Sequence, residues 1–219
     1  MKKKSYILIT MLLVLSMLVL TGCGNSGYEP KEALSSTLKL LQSKDFDDFA
    51  KVTGADKKQV EKEYNDMFKV FDSFGLSQDF YEKVLAKTYS KVKYEVKDTK
   101  EESDGKYTLT VEVSPLKFFS SDPDKLEKEI SDYVTKEAAR VQNGEVSYTP
   151  DEIAINLGEH VLTSAAAIVD EDPKYGDSKT VKVEVQKDKE GHVIMDEKNT
   201  NKFLESLIDF SDIDDMYKD

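Results

Sequence analysis

Apolar residues recur every three or four positions through the first part of the chain, and that spacing predicts helices. Behind Pro30, the residues Leu34, Leu38 and Leu41 form one stripe. A shorter helix carries Phe46, Phe49 and Val52 and stops at Gly54. Asp56 is placed to cap a third, with Val60, Tyr64, Met67, Phe68 and Phe71 facing inward and a stop near Gly75. Ser77 caps a fourth, whose inward residues are Tyr81, Val84, Leu85 and Tyr89. Aromatic stripes at this spacing are expected to be core.

The period then changes from helical to alternating. Val92, Tyr94 and Val96 alternate with polar residues, as do Tyr107, Leu109, Val111 and Val113. The polar segment Asp98 to Lys106, with Gly105, reads as the loop of a hairpin. Pro115 ends the second strand, and Asp122-Pro123 starts a helix with Leu126, Ile130, Tyr133, Val134, Ala138 and Val141 as its stripe. Gly144 breaks it. Thr149-Pro150-Asp151-Glu152 is a capping box that launches a further helix through Ile153, Leu157, Val161 and Ala165, to about Ile168. After a loop from Asp170 to Ser178 come an alternating strand (Val181, Val183, Val185), a turn from Lys187 to Gly191, and a strand from His192 to Met195. Asn199 or Thr200 is expected to cap a last helix with Phe203, Leu204, Leu207 and Ile208. Antiparallel strands segregated from helices mean an α+β fold, with about four strands and a helical pair inserted between the hairpins.

The amino terminus follows neither period. Lys2, Lys3 and Lys4 precede a nearly uncharged apolar run from Tyr6 to Leu20, the layout of a secretory signal peptide. The run is shorter than the ~20 residues a helix needs to span a bilayer core, so cleavage is expected. It ends in Leu20-Thr21-Gly22-Cys23, which resembles the lipobox of bacterial lipoproteins. That resemblance implies a diacylglyceryl group on the Cys23 thiol, cleavage before Cys23, and Leu20, Thr21 and Gly22 as the signal-peptidase recognition residues. Two acyl chains suffice for stable anchoring. The expected organisation is a signal peptide (1–22), a lipidated tether (23–28), one α+β domain (29–210) and an acidic tail (211–219).

Composition narrows the partners. Cys23 is the only cysteine, so no intramolecular disulfide holds the domain. The chain carries a net charge of −12, and loss of the three leader lysines, leaving 28 basic against 43 acidic residues, takes it to −15. Such a surface excludes nucleic acid, which demands a basic face. Cations, cationic ligands or a basic protein surface are easier partners. Arg140 is the only arginine, a lysine bias that points to an AT-rich, low-GC Gram-positive source.

The order of elements resembles the cystatin-like or nuclear-transport-factor-2-like cone, in which long helices pack into a curved antiparallel sheet. More narrowly it looks like a group of Firmicutes lipoproteins of unknown function. The most local match is a strand after Gly191, then Asp196, then the helix from Phe203 to Ile208. The resemblance implies a pocket between sheet and helices, which Tyr94, Tyr107, His160 and His192 are the polar-tipped candidates to line.

Signals for chemistry are otherwise absent. There is no Gly-x-Ser-x-Gly elbow, no Gly-x-Gly-x-x-Gly and no Walker pattern. Two isolated histidines do not make a closed zinc site from the usual spacings. The acidic segments Asp170 to Asp177 and Asp209 to Asp215 lack the calcium-loop pattern. No catalytic residue, metal or cofactor is therefore assigned. The expectation is a membrane-anchored, non-catalytic module of the cell envelope that binds an envelope protein or a small ligand. The alternatives are a cone-fold pocket enzyme (an isomerase or hydrolase) and an immunity or accessory lipoprotein.

Overall fold

The structure, a computed structural model, describes residues 27–72 and 77–210. The lipobox Leu20, Thr21, Gly22 and Cys23 and the tail 211–219 lie outside the described residues, as do Gly75 and the side chains of Met67 and Phe71.

Four helices open the fold: α1 (Glu32–Ser43), α2 (Phe46–Thr53), α3 (Lys57–Asp72) and α4 (Gln78–Ser90). Their starts have a local cause. Asp45, Asp56 and Ser77 each accept a hydrogen bond from the amide three residues on. A side-chain cap of this kind contributes about 1 kcal/mol. α2 ends on Gly54, at φ 73°, a left-handed position that suits glycine. The stripes read from the sequence face inward: Leu34, Leu38, Leu41, Phe49, Val52, Val60, Tyr64, Phe68, Tyr81, Val84 and Tyr89 are all buried.

The strands are β1 (Lys93–Ser103), β2 (Lys106–Ser114), β3 (Leu116–Lys117), β4 (Lys179–Lys187), β5 (Val193–Ile194) and β6 (Ile208–Asp209). Four of them form an open antiparallel sheet in the order β1-β2-β4-β5. Leu109, Val111, Val113, Val181, Val183 and Val185 line its buried face. The last helix, α7 (Glu197–Leu207), packs on β2 and β4. Phe203 of α7 meets Tyr94 of β1 edge to face, with ring centroids 5.4 Å apart. The α+β fold class is as the sequence implies.

Several boundaries differ from the sequence reading. The segment Asp98 to Lys106 is not a loop. β1 continues through it to Ser103, with register shifts after Val96 and Glu101, and only Asp104 and Gly105 turn the chain. These residues are exposed along an edge strand, so backbone pairing to β2 holds them without an alternating side-chain pattern. α7 starts earlier than expected, because Asp196 and not Asn199 or Thr200 is the cap; its carboxylate accepts the Asn199 amide at 2.8 Å. The Asn199 side chain instead accepts the Glu184 amide of β4 at 3.0 Å, tying helix to sheet. β3 and β6 form a separate parallel pair, Leu116 with Ile208 and Lys117 with Asp209.

The largest departure is the helical pair, α5 (Pro123–Gln142) and α6 (Pro150–Glu171). The expected stripe of α5 reaches the core only near its start, through Leu126 and the partly buried Ile130. Leu126 alone is buried in α5, while Val134 and Val141 are 47% and 46% exposed. α6 is fully buried only from Leu162 onward, where it packs on α4; Ile155 and Val161 are partly buried against the core, and Ile153 near its start is 52% exposed. The pair is thus rooted at one end and projects at the other. The capping box at Thr149 and Glu152 is present in full.

Candidate functional site

The most organised polar arrangement lies in the turn between β4 and β5. Gly191, at φ 88°, lets the chain reverse within five residues. The Asp188 amide donates to the His192 carbonyl at 3.0 Å. Asp188 Oδ1 accepts the amides of both Glu190 and His192 at 2.9 Å. Its other oxygen, Oδ2, lies 2.9 Å from His192 Nδ1. Glu190 Oε2 approaches the same nitrogen at 4.0 Å. Burial alone would push the Asp188 carboxyl up, but the hydrogen bonds from the His192 ring and from the His192 and Glu190 amides outweigh it and hold the group below the ordinary carboxylate value. His192 is only 4% exposed, whereas Asp188 and Glu190 keep an open side to solvent.

This turn also receives the first described residues of the chain. The Tyr28 amide donates to the Gly191 carbonyl at 3.3 Å. Lys187 Nζ donates to the Tyr28 carbonyl at 2.8 Å. The folded body is therefore sewn to residue 28, five positions after Cys23.

The four pocket candidates lie on separate elements and have separate partners. Tyr94 packs on Phe203. Tyr107 stands opposite Glu101 of β1 and Val185 of β4. His160, on α6, stacks flat on Tyr133 of α5 at 4.1 Å between centroids, and its Nε2 lies 3.1 Å from the Glu129 carbonyl. His192, read as the start of a strand, belongs to the turn. A cavity of about 250 Å³ opens elsewhere, between α1, α3 and α4, lined by Leu41, Gln42, Lys44, Tyr64, Glu82 and Ala86 among others. None of its lining residues is a histidine. Its charges are already paired: Glu82 holds Lys44 in an ion pair and accepts from Gln78 Nε2 at 2.9 Å. The histidine–carboxylate pair that an enzyme reading asks of a pocket sits in the β4–β5 turn instead.

With this geometry in view, comparison with known proteins places the chain. Residues 20–208 match the model of a family described as a domain of unknown function, DUF5105. The chain belongs to this family. A solved structure described as "a putative lipoprotein (ycdA)" from Bacillus subtilis shares the fold, with a TM-score of 0.57 at 20% identity. The alignment covers 82% of this chain and 56% of the neighbour, so the chain spans little more than half of that protein's length. No curated protein matches the chain significantly. Among the described residues, no helix is long and apolar enough to cross a membrane.

In the sequence His192 stands as an isolated histidine, and its grouping with Asp188 and Glu190 appears only in the fold. Its signal is the spacing i, i+2, i+4 across a glycine turn, which brings three side chains together once the chain reverses. The seam to Tyr28 has no sequence signal, because it is made by backbone atoms and one lysine among many.

Proposed function

We propose that the protein is a lipid-anchored lipoprotein on the outer face of the cell membrane, acting as a non-catalytic binding module of the envelope. The observation that carries this reading is the seam at Tyr28. A body fixed to residue 28 leaves only residues 24–27 between it and Cys23, a spacing that suits a domain held close to a bilayer. The lipobox supplies the anchor chemistry, with the Cys23 thiol as acceptor of the diacylglyceryl group and Leu20, Thr21 and Gly22 as the peptidase signal. The family match begins at residue 20, within that tetrapeptide, and the fold neighbour's own description as a lipoprotein agrees with it.

The non-catalytic reading is in keeping with the cavity between α1, α3 and α4, which carries paired charges and no histidine. The helical hairpin favours a protein partner in the envelope. Val134 and Val141 stand seven residues apart and so share one face of α5, with Ile153 exposed on the companion helix.

Fractionation of cells producing wild-type protein and Cys23→Ala tests the anchor. Wild type is expected to stay with membranes through a carbonate wash and to label with a radioactive fatty acid. Cys23→Ala is expected to lose the label. Labelling that persists in Cys23→Ala would refute the anchor.

A further inference from the structure

We infer that Asp188, Glu190 and His192 form a binding site for a divalent first-row transition-metal cation, zinc or manganese in class, at the seam where the tether joins the body. Each of the three offers one ligand atom, and these atoms all lie within 4.8 Å of one another. Two cis ligands that each sit about 2.1 Å from a cation are separated by about 3.0–3.4 Å. The 2.9 Å between Asp188 Oδ2 and His192 Nδ1 is near that spacing already. Glu190 Oε2, at 4.0 Å, needs only a rotation of a 40% exposed side chain to close.

The turn is organised for such a role before any cation arrives. Asp188 Oδ1 is engaged by two amides, so Oδ2 is held pointing at the imidazole. The His192 ring is buried and backed by Gly54, which fixes its plane. The solvent side of Asp188 and Glu190 leaves room for water to complete the coordination. One imidazole nitrogen with two carboxylate oxygens suits zinc or manganese better than calcium, which prefers oxygen throughout. On binding, the Nδ1 proton leaves to solvent and the nitrogen lone pair becomes the ligand. Two carboxylates also balance the charge of a divalent ion.

The same turn carries the Tyr28 seam through Gly191 and Lys187. A cation that locks residues 188–192 would therefore also slow opening of that seam. The inference does not rest on the lipid anchor, and the two can fail separately.

The test is calorimetric titration of zinc chloride, and separately manganese chloride, into the detergent-purified full chain after stripping with chelator, at about 0.15 M salt to screen the acidic surface. One-to-one binding of either metal is expected, weakened at least about tenfold by Glu190→Gln and by His192→Gln. Glu190 is half-exposed, so its variant keeps the fold even if the histidine variant does not. Hydrogen exchange of the Tyr28 and Asp188 amides is expected to slow with metal in wild type and to be unchanged by metal in Glu190→Gln. Absence of binding, or binding that Glu190→Gln leaves intact, would overturn the assignment; the second result would mean that the metal sits on other acidic groups.

Discussion

Gly54 lies against the face of the His192 imidazole, so closely that a Cβ on residue 54 would fall 2.6 Å from Nδ1, 2.7 Å from Cγ and 2.8 Å from Cε1. The end of α2 and the β4–β5 turn are thus fitted to each other through a missing side chain. Gly54→Ala adds a left-handed backbone penalty of about 1–2 kcal/mol to a steric clash with a buried ring. We expect thermal unfolding to fall by roughly 5 °C or more. Gly54→Asn separates the two causes, since asparagine tolerates the backbone but keeps the clash. A full recovery with asparagine would show that the contact with His192 is not what the glycine serves.

The Asp188 carboxyl titrates below its ordinary value of 3.8 when folded. The sign follows from linkage: a depressed folded value stabilises above the unfolded value, and that contribution is lost as pH falls through the folded one. Acidification below about pH 4 is therefore expected to release the turn. Asp188→Asn should flatten this acid limb of stability against pH. An unchanged acid limb would mean that the hydrogen bonds to His192 and Glu190 contribute nothing measurable.

Three buried tyrosines contribute to a loss of stability in alkali. Burial is the main cause that raises the hydroxyls of Tyr64, Tyr81 and Tyr89 well above their ordinary value of 10.0, with the charges of Glu82 and Glu159 adding at Tyr64 and Tyr81. Above pH 10 the unfolded chain ionises these groups while the native one keeps them protonated, so stability falls as pH rises. Tyr89→Phe is expected to make that fall shallower, read from denaturant midpoints between pH 9 and 11. A slope that Tyr89→Phe leaves untouched would contradict the assignment.

The projecting hairpin gives a contrast between stability and recognition. Val134→Lys and Ile153→Lys replace exposed side chains and are expected to change stability by about 0.5 kcal/mol or less. Phe203→Ala, at a fully buried position, is expected to cost about 3–5 kcal/mol. In crosslinking on intact cells, an envelope partner captured by wild type should be lost with the lysine variants. A partner retained by both would place recognition elsewhere on the surface.

The sequence was most legible where one side-chain pattern met one environment. The stripes of α1 to α4 and the valines of β4 alternate against a single core, so periodicity alone places Leu34, Tyr64 and Val183. It misled where a helix leaves that core: α5 carries the same spacing, yet Val134 and Val141 face solvent because only α6 lies beside them. Periodicity reports amphipathicity, not what will cover the apolar face. The end of β1 reads as loop for the opposite reason, since its residues 98–103 are held by backbone pairing while their side chains are polar and exposed. Asp104-Gly105 did carry a signal for a two-residue turn, hidden inside a segment that reads as loop throughout. The tetrapeptide Leu20 to Cys23 is a linear pattern that the sequence displays without any fold, whereas the Asp188–His192 cluster needs the turn to exist first.

The seam at Tyr28 also bounds how far the folded body lies from Cys23. From Cys23 to residue 28 the extended chain spans at most about 17 Å. If Cys23 carries the proposed lipid, the β4–β5 end of the sheet is the end that would face the lipid headgroups. β4 runs from that turn for nine residues, about 30 Å, to the loop that joins it to the root of the helical hairpin. Under that proposal, a partner would meet the folded body within a height bounded by the reach of five residues. Lengthening residues 24–27 with flexible insertions would change that reach while leaving every contact within the folded body in place.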